Sequence, residues 1–450
     1  MDRALIIRLL AGALVIALLA PGVAAFATHE PTNVKPGTIT DERGQTVVSV
    51  QGFHFQGGSE KTRARLVSIN DDDVSWQYGG PSSSETWFYD VDPLANGNLL
   101  ATTARDGQTF IFEFDPDSRE RVWTERFDIE DTHDADLLPN GNLVIANMRE
   151  TTDGVADDKV FVYNRTTDER TWEWRFRDHY PESTEGGYND DWTHVNDVDY
   201  IGGDQFLLSP RNFDQAIIVN RSTDEIDMRL GSDGDYDTLN EQHNPDYLTS
   251  ADGTPTLLVA DSENDRIVEY ERSEEGWTRT WTVGVDGKLN WPRDADRLPN
   301  GNTLVTDSLN HRVIEITPTG EIVWEYYVTW GPYDAERIGA TDEGNWTGGS
   351  ARSPTITDLG ASGSYALSGS ANDPPIPGEG GPSGFLSSVG LDGLASTWDH
   401  VIPWVKPVWA GGWTFLAGVL GLLLALAWGV TEMWMHRAAI RARLTERNSG

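Results

Sequence analysis

One position of an internal repeat carries side chains able to handle an anion. In Asp191-Trp192-Thr193-His194-Val195-Asn196-Asp197-Val198-Asp199, His194 and Asn196 lie two residues apart, so a strand there turns both to one face. From Asn196 onward the pattern matches Tyr89-Asp90-Val91-Asp92, His133-Asp134-Ala135-Asp136, His243-Asn244-Pro245-Asp246 and Arg293-Asp294-Ala295-Asp296. Tyr89, His133, Asn196, His243 and Arg293 therefore share one register position, and Arg211 in Ser209-Pro210-Arg211-Asn212 ends the strand that follows Asn196. Imidazole is mostly neutral near pH 7, so one histidine can act as a nucleophile. Further His and Arg side chains hold a tetrahedral anion by charge-assisted hydrogen bonds. That set suits transfer of a sulfuryl group, with another histidine moving a proton to or from a phenolic oxygen of pKa about 10. Three histidines also suit a metal. The neighbouring arginines repel a cation, so an anion is the reading and neither metal nor cofactor is expected. The repeat's aspartates read as structural, pairing with backbone amides or tying neighbouring units.

These residues need a scaffold that brings equivalent positions together. Apolar runs fold back at Asn96-Gly97-Asn98, Asn140-Gly141-Asn142 and Asn300-Gly301-Asn302, with Asn-Gly read as two-residue hairpin turns. Each inner pair of strands is followed by an outer pair, such as Phe110-Ile111-Phe112-Glu113-Phe114 leading to Val122-Trp123. Five four-strand units result. An outer pair at Arg65–Ile69 and Val74–Trp76 lacks an inner pair, and an inner pair at Ser353–Leu367 lacks an outer one. Joining them completes a sixth unit. The fold expected is all-β: a six-bladed β-propeller with four-stranded blades, closed by pairing N- and C-terminal strands. The starts of the innermost strands then converge at one end of the central channel, with a residue near Ser353 as the sixth member.

The 450 residues carry a formal net charge of -38, and the lysines are only Lys35, Lys61, Lys159, Lys288 and Lys406. An acidic, lysine-poor surface suits high salt and excludes nucleic acid as a partner. The acidic runs Asp71-Asp72-Asp73 and Asn189-Asp190-Asp191 read as that surface rather than as calcium sites. Cysteine is absent, which removes thiol chemistry. Both ends carry membrane signals. Arg3 and Arg8 precede an apolar run to Ala20, a signal peptide or an N-terminal anchor. Val408 to Val430 is uncharged, spans roughly 34 Å as a helix, and is flanked by Trp404, Trp409, Trp413, Trp428 and Trp434. Arg437, Arg441, Arg443 and Arg447 follow and place the tail in the cytoplasm and the propeller outside. The sequons at Asn164, Asn220 and Asn345 fit an exported domain. The expected organisation is 1–27 signal or anchor, 28–59 lead-in, 60–370 propeller, 371–404 flexible stalk, 405–432 transmembrane helix and 433–450 basic tail.

His133-Asp134, Trp192-Thr193-His194-Val195-Asn196, Ser209-Pro210-Arg211 and Gln242-His243 together resemble the aryl-sulfate sulfotransferase family, here in a haloarchaeal-type, membrane-anchored form. The resemblance covers the propeller. It implies extracytoplasmic, nucleotide-independent transfer of sulfate from a phenolic sulfate ester to a phenol through a sulfated histidine. By motif order His243 is the nucleophile, and His133, His194, Asn196 and Arg211 bind the sulfuryl group or move protons. The competing reading is a non-catalytic binding propeller. Gly301-Asn302-Thr303-Leu304-Val305-Thr306-Asp307-Ser308-Leu309-Asn310-His311-Arg312-Val313 looks like an NHL repeat, with a second copy at Val259-Ala260-Asp261-Ser262-Glu263-Asn264-Asp265-Arg266. The varied polar ring favours the enzyme.

Overall fold

A computed structural model describes residues 3–29, 34–39, 43–52, 63–81, 87–285, 287–338, 353–369 and 381–437. The chain divides into two compact units, Asn33–Pro375 and a second made of Met1–Thr32 with Ile376–Gly450.

The first unit is a six-bladed β-propeller. Blade 1 runs Trp87–Pro93, Leu99–Arg105, Gln108–Asp115, Glu120–Phe127, and blade 2 runs Ala135–Leu137, Leu143–Asn147, Lys159–Asn164, Glu169–Arg175. Blade 3 runs Val195–Tyr200, Gln205–Pro210, Gln215–Asn220, Glu225–Gly231, and blade 4 runs His243–Thr249, Pro255–Asp261, Arg266–Ser273, Gly276–Val283. Blade 5 runs Pro292–Arg297, Thr303–Asp307, Arg312–Ile316, Ile322–Tyr327. The strands alternate in direction as hairpin connections require.

The closing blade differs from the sequence-based assignment. Its innermost strand is Pro332–Arg337, followed outward by Gln45–Val50, Arg65–Asn70 and Asp73–Tyr78. Thr46 pairs with Arg337 and Val50 with Pro332. The ring is thus shut by one strand from the late chain and three from the early chain. Gln45–Val50 was hidden in the lead-in because its side chains are buried on both faces, so it shows no alternation. Tyr333-Asp334 repeats Tyr89-Asp90, and Ser353–Leu367 does not form the inner pair. Gly363–Tyr365 instead adds in parallel to the outer edge of blade 4. Lys35–Ile39 likewise caps the outer edge of blade 5. Both additions cover edges that would otherwise offer unpaired amides.

The Asn-Gly-Asn turns are longer than the expected two-residue loops. Leu94 N–H donates to Asn98 C=O at 2.8 Å and Gly97 N–H to Leu94 C=O at 2.9 Å, with Gly97 at φ 88°. The asparagines hold a glutamate of the third strand: Asn96 reaches Glu113 at 2.8 Å, and Asn302 reaches Glu315 at 2.6 Å. Glu315 also accepts from Arg337 at 2.9 Å, a buried pair joining blades 5 and 6, as Glu269 with Arg297 at 2.7 Å joins blades 4 and 5.

The aspartates behave as the sequence suggested. Asp136 accepts the Tyr200 N–H at 2.9 Å, Asp294 the Ala335 N–H at 3.2 Å, and Asp334 the Val91 N–H at 2.9 Å, each on the next blade's inner strand. Apolar side chains fill all six interblade spaces in separate clusters, such as Trp174, Val198 and Phe213 between blades 2 and 3. Each fully buried large side chain contributes about 1.5–3 kcal/mol. The innermost strands are thereby fixed on both flanks.

The second unit holds two 24-residue apolar stretches, Leu5–Thr28 within the helix Arg3–Thr28 and the helix Gly412–Met435, each long enough to cross a bilayer. Arg8 makes a two-point contact with Glu432 at 2.7 and 2.8 Å, and Gly421 lies against Leu18 and Leu19, so the two helices run side by side. Where a flexible stalk was expected, Pro382–Ser388 and Asp392–Val405 are helices. Pro382 occupies a first-turn position, which suits proline, and Leu394, Trp398, Val401 and Val405 recur at helical spacing. Residues 370–380, the basic tail beyond 437, and Asn345 lie outside the described residues.

Candidate active site

The ring position holds Tyr89, His133, Asn196, His243, Arg293 and, from the closing strand, Tyr333 in place of a residue near Ser353. All six are buried. His133 lies 3.9 Å from Tyr89, 5.1 Å from His194 and 5.4 Å from Tyr333 between ring centroids. His243 lies 5.8 Å from Tyr333, and the Arg293 guanidinium sits 4.7 Å from the Tyr333 ring centre. Tyr333 thus stands between the two histidine groups, and the sequence-derived set converges around it. Tyr333 was missed, although its Tyr-Asp repeat of Tyr89-Asp90 was available as a signal.

A second tier lies two residues before the ring. Asp131 (φ 61°), His194 (φ 43°), Glu241 (φ 47°), Trp291 (φ 49°) and Gly331 (φ 67°) all adopt left-handed backbone conformations there. Such conformations cost a non-glycine residue about 1 kcal/mol or more and persist only where the surroundings impose them. The imposing contacts come from the preceding blade. Asp214 accepts the Glu241 N–H at 3.0 Å, Asp265 the Trp291 N–H at 2.8 Å, and His311 Nδ1 the Gly331 N–H at 3.2 Å. From this tier Asp131 and His194 reach His133, and Trp291 lies 6.5 Å from His243 between ring centroids.

His194 is positioned by every residue of its own motif. Trp192 is buried among Tyr188 and Phe213 and donates its indole N–H to Thr184 C=O at 2.9 Å. Thr193 donates both its N–H (3.0 Å) and its hydroxyl (2.7 Å) to Asp158 of blade 2. Asp191 Oδ1 takes His194 Nδ1 at 2.8 Å. Asn196 donates to Gln242 C=O at 3.0 Å, tying blade 3 to the start of blade 4 beside His243.

His133 is held from both ring nitrogens. Its Nδ1 meets the Tyr333 hydroxyl at 2.8 Å, and its Nε2 lies 3.6 Å from Asp131. Asp131 also accepts from the Tyr89 hydroxyl. Arg149 joins Asp131 at 2.5 Å and Asp191 at 2.9 Å, so one guanidinium ties together the carboxylates behind His133 and His194. His243 Nδ1 meets Ser262 Oγ at 2.8 Å. Arg211 lies at the more exposed rim with Glu241 at 3.4 Å. Asp131, Arg149, Glu241 and Ser262 were not foreseen; their partners are remote in sequence.

Burial dominates the electrostatics. It pushes His243 well below its ordinary pKa, with Arg293 and Arg211 adding to the shift. Burial and then Arg211 bring His194 down to about 3. His133 is lowered by burial against the opposing pull of Asp131. All three rings are neutral near pH 7. Burial also lowers Arg293, to about 10, which leaves it cationic, and raises the Tyr89 and Tyr333 hydroxyls, which stay protonated.

The ring can therefore present neutral imidazole nitrogen beside fixed guanidinium charge, an arrangement for an anion. Among the described residues, groups spaced closely enough to hold a metal ion consist only of aspartates, Asp90 with Asp92 and Asp134, and Asp134 with Asp197 and Asp199. Asp134 already accepts the Val198 N–H at 2.5 Å. The histidines do not converge as a ligand set.

Solved structures with a similar course include a protein of unknown function from Bacteroides caccae, 13% identical with a TM-score of 0.45, covering 65% of this chain and 98% of that one. Virginiamycin B lyase from Staphylococcus aureus is 11% identical with a TM-score of 0.38, covering 64% and 83%. The Swd1 β-propeller domain from Myceliophteria thermophila is 14% identical with a TM-score of 0.39, covering 68% and 91%. No curated protein matches the chain. Residues 73–283, from the outer strand of the closing blade through blade 4, match the arylsulfotransferase (ASST) family.

Proposed function

We propose that the propeller is an aryl-sulfate sulfotransferase that works without a nucleotide donor and passes the sulfuryl group through His243. The observation that carries this reading is the neutral, buried His243 ring under the influence of Arg211 and Arg293, inside a segment matching the arylsulfotransferase family. His243 Nε2 attacks the sulfur of a phenolic sulfate ester. The N–S bond forms as the S–O bond to the aryl oxygen breaks. Arg211, Arg293 and the Asn196 amide hold the sulfuryl oxygens, where preorganised charge lowers the barrier most. The departing phenolate takes a proton that comes from solvent and is relayed by the neutral His194 and His133 rings. In the second half the acceptor phenol gives up its proton by the same route, its oxygen attacks sulfur, and the N–S bond breaks. His243 is restored and no net proton is consumed. Tyr89 and Tyr333 give the aromatic ring flat apolar surfaces beside the reacting atoms.

The same proposal places the propeller outside the cytoplasm. Arg437 follows the last helix directly, and the Arg8–Glu432 pair sets the start of the first helix beside the end of the last. Both helices then act as anchors with their charged ends on one side. The net charge of -38 supports function in high salt, where the unfolding temperature should rise with added KCl.

The test uses the full chain in detergent and high salt, with a chromogenic aryl sulfate and a phenol. Phenol release that requires His243, and a sulfuryl adduct on the His243 peptide when acceptor is withheld, support the reading. Absence of both, together with no binding of any aryl sulfate, removes it.

A further inference from the structure

The short helical turn after the second strand occupies equivalent places in blades 3, 4 and 5: Arg211–Phe213, Ser262–Asn264 and Ser308–Asn310. Each ends in a left-handed residue, Asp214, Asp265 or His311. Arg211, Ser262 and Ser308 are therefore one position read three times. Arg211 belongs to the anion-binding set, and Ser262 stands against His243.

Ser262 is fully buried, and its Oγ has two close neighbours, with the Ala260 carbonyl farther away at 3.4 Å. The Pro292 carbonyl lies at 2.7 Å and His243 Nδ1 at 2.8 Å. A carbonyl can only accept, and a serine hydroxyl has one hydrogen. At 2.7 Å that hydrogen lies between Oγ and the Pro292 oxygen, since two lone pairs at that distance would repel. Ser262 Oγ must then accept from His243, so Nδ1 carries the imidazole hydrogen. Nε2 is left with its lone pair.

Resting on the sulfotransferase reading, we infer that Ser262 is a positioning residue that fixes His243 in the Nδ1–H form and so makes Nε2 the nucleophilic atom. Its role continues after attack. Once Nε2 bears the sulfuryl group, the imidazole ring keeps its Nδ1 hydrogen and carries positive charge. The chain from Nδ1–H to Ser262 to the Pro292 carbonyl then strengthens, because a charged donor makes the stronger hydrogen bond. No proton has to leave Nδ1 when the N–S bond forms, nor return when it breaks. The turn itself does not require this contact. Ser308, the equivalent residue in blade 5, is buried with no hydrogen-bond partner for its Oγ among the described residues, and its turn has the same form.

The experiment pairs Ser262→Ala with Ser262→Thr and Ser308→Ala in the full-length protein. With an aryl sulfate and a phenol, Ser262→Ala should lower kcat about 10- to 100-fold with little change in KM, the loss of one hydrogen bond to a charged group. Ser262→Thr, which keeps the hydroxyl, should recover most of it, and Ser308→Ala should stay within about twofold of wild type by the same reasoning. Nitrogen-15 NMR of histidine-labelled protein, with His243 identified through His243→Asn, reads the tautomer without any turnover. Wild type should show the hydrogen on Nδ1, and Ser262→Ala a mixture. An Nε2–H ring in wild type, or unchanged kcat in Ser262→Ala, overturns the inference even where the protein is an active sulfotransferase. An Nδ1–H ring lost in Ser262→Ala, in a protein that transfers no sulfate, upholds the tautomer assignment and removes the sulfotransferase reading instead. Should Ser262→Ala not fold, the wild-type spectrum and Ser262→Thr kinetics still decide.

Discussion

Blades 4 and 5 use one framework for two purposes. In blade 4, Asp261 takes Arg266 Nε at 2.6 Å, Asn264 Nδ2 at 2.9 Å and Asn240 N–H at 2.7 Å. In blade 5, Asp307 takes Arg312 Nε at 2.7 Å, Asn310 Nδ2 at 2.9 Å and Asn290 N–H at 2.8 Å. The contacts agree within 0.1 Å of each other. Above this shared base the ring residue is His243 in one blade and Arg293 in the other. The first turn residue is a serine in both, yet only Ser262 has a histidine to hold. Constant contacts fix the backbone, and chemistry is set by a few positions that the backbone does not need. A repeat can thus build an asymmetric site without changing its fold.

The sharpest way to break this comparison is at the ring. On the proposed mechanism, His243→Ala should lower sulfate transfer at least about a thousandfold, since it deletes the group assigned as nucleophile. Arg293→Lys should cost about tenfold to a hundredfold in kcat/KM, because an ammonium cannot reproduce the planar fork, and steady-state kinetics with one aryl sulfate would show it. The framework predicts a different outcome. Asp261→Ala and Asp307→Ala should each destabilise the protein by about 3–5 kcal/mol, and by nearly the same amount in both blades, because each leaves an arginine Nε, an asparagine amide and a backbone N–H without their shared acceptor, although Arg312 keeps Glu325 at 2.7 Å. Denaturant unfolding of the pair checks this; a large difference between them would deny that the two bases are equivalent.

A smaller effect sharpens the comparison through pH. His243 titrates and Arg293 does not in the working range. Burial holds the folded His243 well below the ordinary value near 6.5, so the unfolded chain binds a proton that the folded chain refuses. The stability this ring contributes is complete above about pH 6.5 and is lost progressively as pH falls toward the folded value. His243→Gln should therefore flatten the decline of the denaturant midpoint between about pH 7 and 5. His194, lowered to about 3, contributes with the same sign, so part of the decline should persist in the variant. An unchanged slope would mean that His243 is not buried neutral.

The repeat register was legible because Asp-x-Asp, Asn-Gly-Asn and the outer tryptophans recur at short range. The ring members Tyr89, His133, Asn196, His243 and Arg293 followed from it directly. The closing strand did not. Gln45–Val50 is buried on both faces and finds its partner Pro332–Arg337 only in three dimensions. Left-handed conformations at Glu241 and Trp291 leave no mark in residue type, since contacts from the preceding blade impose them. The Arg149 bridge spans two blades, and no local pattern announces it. Ser262 was within reach: it shares its register with Arg211, but an isolated serine in an NHL-like turn carries no sign of the histidine above it.

The way the ring shuts also governs its birth. Gln45–Val50 leaves the ribosome early, and its inner-edge partner Pro332–Arg337 is made almost at the end of the propeller. At ~5–20 residues per second, synthesis of the intervening chain takes roughly a quarter of a minute to a minute. Throughout that interval a six-residue run of backbone amides, destined for burial on both faces, waits unpaired at the edge of an unfinished sheet, the kind of surface on which a second nascent chain can pair. The net charge of -38 also keeps such chains apart while they wait.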